Sequence, residues 1–144
     1  MNRVEEAVRL FEEGYSCSQA VLAAFSPAFG LESARAIRVA SGFGSGMRLG
    51  GTCGAVTGGI MVLGLAHGDA EVATREGRAR VAEAVDEFTD RFRERVGAVD
   101  CPAIMGADVR VPEEREAAME QGLVALRCVP AVRVAAEILD EMLA

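Results

Sequence analysis

Four cysteines, Cys17, Cys53, Cys101 and Cys128, each stand beside an expected helix start, and no two of them form a C-x-x-C. A helix N-terminus carries free N–H groups and partial positive charge, which lower a thiol's pKa and favour thiolate near neutral pH. Successive cysteines lie 36, 48 and 27 residues apart, so the chain offers no local chelate and any shared site must be assembled by tertiary folding. The repeated local context supports such a site. Cys17 follows Gly14-Tyr15-Ser16, Cys53 follows Gly50-Gly51-Thr52, Cys101 precedes Pro102, and Cys128 lies two residues before Pro130.

Several N-termini aimed at one place suit an anionic centre, because orphan N–H groups can donate to thiolate or inorganic sulfide. An iron–sulfur cluster on four thiolates is such a centre, and Gly50, Gly51 and Gly54 would let backbone approach its sulfurs. Zinc could take the same four ligands, without redox chemistry of its own. Two further readings stay open: thiol–disulfide pairs that cycle without metal, and separate cysteines packed as small hydrophobes.

Other chemistry-bearing residues are few. The lone His67 reads as a cation at a helix C-terminus rather than a ligand. Arg48, within the glycine loop, reads as an exposed loop arginine that could also offset a cluster's negative charge or bind an anionic partner. Gly106-Ala107-Asp108 reads as a turn. The glycines lack the G-K-[ST] of a phosphate loop and any preceding strand, so they match no nucleotide fingerprint.

Helices must position these residues. Val4, Ala7, Val8 and Phe11 repeat at helical spacing opposite Glu5, Glu6, Glu12 and Glu13, which predicts a helix over about 2–13 ended by Gly14. Ser16 is a plausible N-cap for a second helix beginning at Cys17 and stopped by Pro27. A third pattern covers 31–40. Ten of the sixteen glycines then fall between Gly42 and Gly68: a loop to Gly51, followed by a buried, tightly packed helix from Thr52-Cys53-Gly54. A long amphipathic helix is expected over Asp69–Val96, a short turn at Asp100-Cys101-Pro102, a helix over Pro112–Gly122 and a last one after Cys128-Val129-Pro130. No stretch alternates with period two, so the expectation is an all-α single domain spanning 1–144, with about six or seven helices.

Composition agrees. The 144 residues are 51% hydrophobic but only 5% aromatic, so the core must be aliphatic, which favours helices. A net charge of −7 argues against nucleic acid and anionic membranes. All 15 basic residues are arginine, which codon bias explains most simply. The charged N-terminus lacks the apolar core and cleavage site of a secretory signal, and the Ala55–Ala66 apolar run is well short of the ~20 residues of a spanning helix, so a cytoplasmic protein without membrane insertion is expected. The acidic surface would suit a basic redox partner protein, and the glycine-rich helix could pack on a second copy to form a homodimer.

With these residues in view, the chain resembles the redox-active proteins known by the pattern C_GCAxxG_C_C. The resemblance rests on Cys17-Ser18-Gln19-Ala20-Val21, the loop Gly42-Phe43-Gly44-Ser45-Gly46, the centre Cys53-Gly54-Ala55-Val56-Thr57-Gly58 with Met61-Val62-Leu63-Gly64-Leu65, then Cys101 with Gly106 and Asp108, and Cys128. It covers about residues 5–140. The pattern writes Gly-Cys-Ala where this chain has Cys-Gly-Ala. The family is similar to the iron–sulfur domain of split-Soret cytochromes, which implies a cluster held by the four cysteines and electron exchange with a redox partner.

Overall fold

The computed structural model describes residues 2–144, and its order follows the helical periodicities closely. Helix α1 (Arg3–Glu12) is capped by Asn2, whose side chain accepts the Glu5 N–H at 2.8 Å, and buries Ala7, Val8 and Leu10. Helix α2 (Cys17–Phe25) is capped by Ser16 and ends in a 3-10 turn over Ser26–Phe29, where Pro27 forbids continuation and Gly30 turns left-handed at φ 86°. Helix α3 (Ser33–Ala40) leads into the glycine loop. Helix α4 (Gly54–His67) is apolar on all sides, and a helix of that kind belongs in a core.

Helix α5 (Arg75–Val96) is the long amphipathic helix, closed by Gly97 at φ 98°. It begins six residues later than its periodicity suggests. Asp69 accepts the Thr74 N–H at 2.9 Å and the Thr74 hydroxyl at 2.6 Å, which holds 69–74 as a loop, and Thr74 then caps the helix by accepting the Gly77 N–H at 2.9 Å. The expected turn at Cys101 is a five-residue helix, α6 (Cys101–Met105), followed by α7 (Pro112–Glu120) and α8 (Val129–Met142). The described residues thus form eight α-helices, α6 being the addition to the expected six or seven. The fold is all-α.

One aliphatic core joins α1, α2, α3, α4, α5, α6 and α8, with Phe25, Phe88 and Phe92 as its largest side chains. Its tightest seam is α2 against α4. A Cβ on Gly58 would lie 2.8 Å from the Ser18 carbonyl oxygen, so only glycine lets the two backbones approach this far. No helix among the described residues is long and apolar enough to cross a membrane.

Candidate functional site

Each cysteine reaches the site by a different route. Cys17 is the first residue of α2, and its neighbours lock that end. Ser16 and Gln19 form a reciprocal capping box. Gln19 Nε2 donates to the Ile37 carbonyl at 2.9 Å, and the buried Ser18 hydroxyl donates to the Ala40 carbonyl at 2.9 Å, fastening α2 to the C-terminal end of α3. Cys53 is the cap residue of α4. Cys101 opens α6. The two are joined by a single antiparallel bridge, Thr52 opposite Asp100, in which Cys53 N–H donates to Val99 O at 2.7 Å and Cys101 N–H donates to Gly51 O at 2.8 Å. Side chains alternate across such a pairing, so Cys53 and Cys101 leave it on the same side.

Cys128 arrives differently from its expected placement. It ends a π-helical turn over Val124–Cys128 that runs directly into α8. Its own backbone is right-handed helical (φ −81°, ψ −38°), and the Val129 N–H is already taken by Val124 O. Cys128 therefore has no free helix terminus beneath it, a departure from the sequence expectation: the chain stays helical through Leu126 and Arg127 instead of breaking before Pro130.

All four cysteines nonetheless line one cavity of about 190 Å³, together with Phe11, Ser16, Ser45, Ile104, Met105 and Val124. Cys53 and Cys101 are buried while Cys17 and Cys128 are half-buried. No disulfide joins any of them. The Cys128 thiol contacts the Met105 thioether, sulfur to sulfur, at 3.8 Å. Among the described residues no three His, Cys, Asp or Glu side chains are gathered closely enough to grip a single metal ion.

The electrostatics single out Cys17. Its pKa is lowered to about 7 by a hydrogen bond from the Cys53 thiol and by backbone N–H groups of Cys17 itself, Ser45 and Gly54, against the opposing effect of burial. Cys53, as the donor in that pair and buried, is pushed well above the ordinary thiol range. Burial raises Cys101, and burial with the nearby Cys17 and Cys101 charges raises Cys128 to about 12. The expectation that every helix start would favour thiolate thus holds for Cys17 alone. Cys101 tops a helix of only five residues, and the N–H next after Cys128, that of Val129, is already taken by Val124 O.

The three glycines divide. A Cβ on Gly54 would lie 2.7 Å from Cys17 Sγ, so glycine there is what seats the sulfur on the first turn of α4. Gly51 supplies the carbonyl that anchors Cys101. Gly50, at φ 68°, backs instead onto Arg110: a Cβ there would lie 2.7 Å from that guanidinium carbon. His67 is the last residue of α4, as its sequence context suggests.

Ser45 was not legible as a site residue. It opens a left-handed turn in which Ser45, Gly46, Met47 and Arg48 all have positive φ, at 53°, 62°, 59° and 60°. For residues with a Cβ this conformation costs about 1–2 kcal/mol each, and such strain collects at functional sites. The turn carries Ser45, whose main-chain N–H contributes to the lowered pKa of Cys17. The glycine-rich composition signalled close backbone approach, but nothing in the sequence put the left-handed geometry on serine, methionine and arginine.

No curated protein and no solved structure matches the chain. A family does: the one described as "Putative redox-active protein (C_GCAxxG_C_C)" matches residues 15–142, which contain all four cysteines and every segment that carries them to the cavity. With nearly its whole length matched, and its cysteines brought to one place by elements within that span, the chain belongs to the C_GCAxxG_C_C redox-active family.

Proposed function

We propose that Cys17, Cys53, Cys101 and Cys128 together hold an iron–sulfur cluster through which the protein exchanges electrons with a redox partner. The observation that carries this reading is the lining of one small cavity by four cysteines from four separate segments. The donor set fits: four thiols converge, and main-chain N–H groups of Ser45 and Gly54 already point at a sulfur. Zinc could take the same four thiols but would bring no redox chemistry of its own.

When bound, such a cluster would supply one-electron redox chemistry. The chain's own contribution is the rest. Cys17 is already half ionised at neutral pH, whereas Cys53, Cys101 and Cys128 must each release a proton on ligation, so loading should be slower in acid. The apolar walls from Phe11, Ile104, Met105 and Val124 limit water around the sulfurs. Anaerobic purification with iron and sulfide analysis and visible absorption tests the reading: coloured protein is expected, and replacing any one cysteine by serine should lower bound iron. Colourless, iron-free protein with four titratable thiols after reconstitution would overturn it.

A metal-free reading is favoured by the lowered pKa of Cys17 beside the protonated Cys53 thiol in one cavity. The Cys17 thiolate would attack a substrate disulfide, forming a mixed disulfide and expelling one thiolate; Cys53 would lose its proton, attack Cys17 sulfur and release the second. The protein dithiol is oxidised as the substrate disulfide is reduced. Mass spectrometry of alkylated samples would then find a Cys17–Cys53 bond after oxidation and none between other pairs.

A further inference from the structure

Beside the cysteine cavity lies a groove of about 420 Å³ lined by Ser45, Arg48, Val109, Arg110 and Arg115. Ser45 lines both spaces, so the two share a wall. Three arginines line it, Arg48 from the glycine loop and Arg110 and Arg115 from around the start of α7, on a chain whose net charge is −7. No acidic side chain lines the groove.

The arginines are differently engaged. Arg110 is committed: its Nε and Nη2 donate to Asp108 at 2.9 and 2.8 Å, and its Nη1 donates to Leu49 O at 2.9 Å. Asp108 therefore neutralises it. Arg48 and Arg115 form no ion pair among the described residues, although eight other arginines do. Two arginines without an ion-pair partner among the described residues thus line one concavity. Arg48 sits in the left-handed turn at φ 60°, and the absence of a Cβ on Gly50 makes room for Arg110 beside it.

We propose that this groove binds the oxyanion group, phosphate or carboxylate, of a small anionic molecule whose other end lies at the cysteine cavity. The guanidinium fork matches both oxyanions with paired hydrogen bonds, and the volume falls within the range of about 300–1,000 Å³ usual for small-ligand sites. The second half of the proposal rests on the cysteines being the reactive centre. The first half stands without it.

Calorimetric titration of the full chain with inorganic phosphate, and separately with succinate, tests the site and tells the two oxyanions apart. Saturable binding of at least one is expected, weakened at least tenfold in the double variant Arg48→Gln/Arg115→Gln and unchanged in Arg38→Gln, an exposed arginine elsewhere. Circular dichroism shows that the variants fold. On the reduced chain, the rate of Cys17 alkylation by iodoacetate relative to neutral iodoacetamide should fall severalfold in the double variant. Absence of saturable binding to both anions, or an equal loss in Arg38→Gln, would overturn the anion site, and an unchanged rate ratio would overturn its link to the cysteine cavity. Iron and sulfide content, measured on the same samples, reports separately on the cysteine centre.

Discussion

Cys17 shows how much one thiol's chemistry depends on its neighbours' main chain. With its pKa lowered to about 7 it is half ionised at neutral pH, and after allowance for the weaker nucleophilicity of a less basic thiolate it should react with iodoacetamide about threefold faster than free cysteine at pH 7. Mass-resolved alkylation from pH 5 to 10 should give a midpoint near 7 for Cys17 and above 9 for Cys128. The sign for stability follows. A thiol whose folded pKa lies below its unfolded value contributes fully above about 9 and loses that contribution as pH falls through 7. Denaturant midpoints of the reduced, metal-free chain should therefore drop across that window, and the drop should vanish in Cys17→Ala. Gly54→Ala puts a methyl where the sulfur sits; it should cost about 1–3 kcal/mol by overpacking and raise the Cys17 midpoint. An unshifted midpoint would mean that the first turn of α4 does not hold this thiolate.

At the scale of elements, the seam between α2 and α4 and the left-handed turn do different work. Gly58→Ala must push a methyl against the Ser18 backbone, which cannot swing aside as a side chain would. The expected loss is about 1–3 kcal/mol by thermal melting, even though alanine is the better helix former by about 1 kcal/mol. Ser45→Gly should leave the Cys17 alkylation profile unchanged, since the group that acts is a main-chain N–H and glycine keeps it while accepting φ 53° readily. The helices themselves were legible because amphipathic spacing, caps and prolines are local signals: the start of α2 at Ser16–Cys17 and the end of α5 at Gly97 fall where the residues place them. The late start of α5 was not, because it depends on Asp69 folding back onto Thr74. Nor was the π turn before α8, which hides the terminus that Cys128 was expected to occupy. Convergence of the cysteines is a tertiary fact, and sequence could only require it.

Across the whole molecule, stability and surface charge separate cleanly. Ile138 and Leu139 are fully buried on α8, and replacing either by alanine should cost about 2–5 kcal/mol. On the same helix Arg133 pairs with Glu5 at 2.6 Å and Glu137 with Arg95 at 2.7 Å, both at exposed positions. Removing either pair should cost no more than about 1 kcal/mol, less in high salt. Urea unfolding of Leu139→Ala beside Glu137→Gln checks the contrast, and comparable losses would show that the ion pairs between helices matter more than the aliphatic core.

The small bridge between Thr52 and Asp100 has a mechanical consequence. It is a clasp closing a loop of some fifty residues that contains all of α4 and α5, and its two hydrogen bonds are given by the amides of Cys53 and Cys101 themselves. Loops of this size gain ordering slowly with length, so a few contacts at the neck decide whether they stay shut. Those two amides should exchange with deuterium together, in one opening event, and anything gripped by both sulfurs would rivet the clasp and slow that exchange at both positions at once.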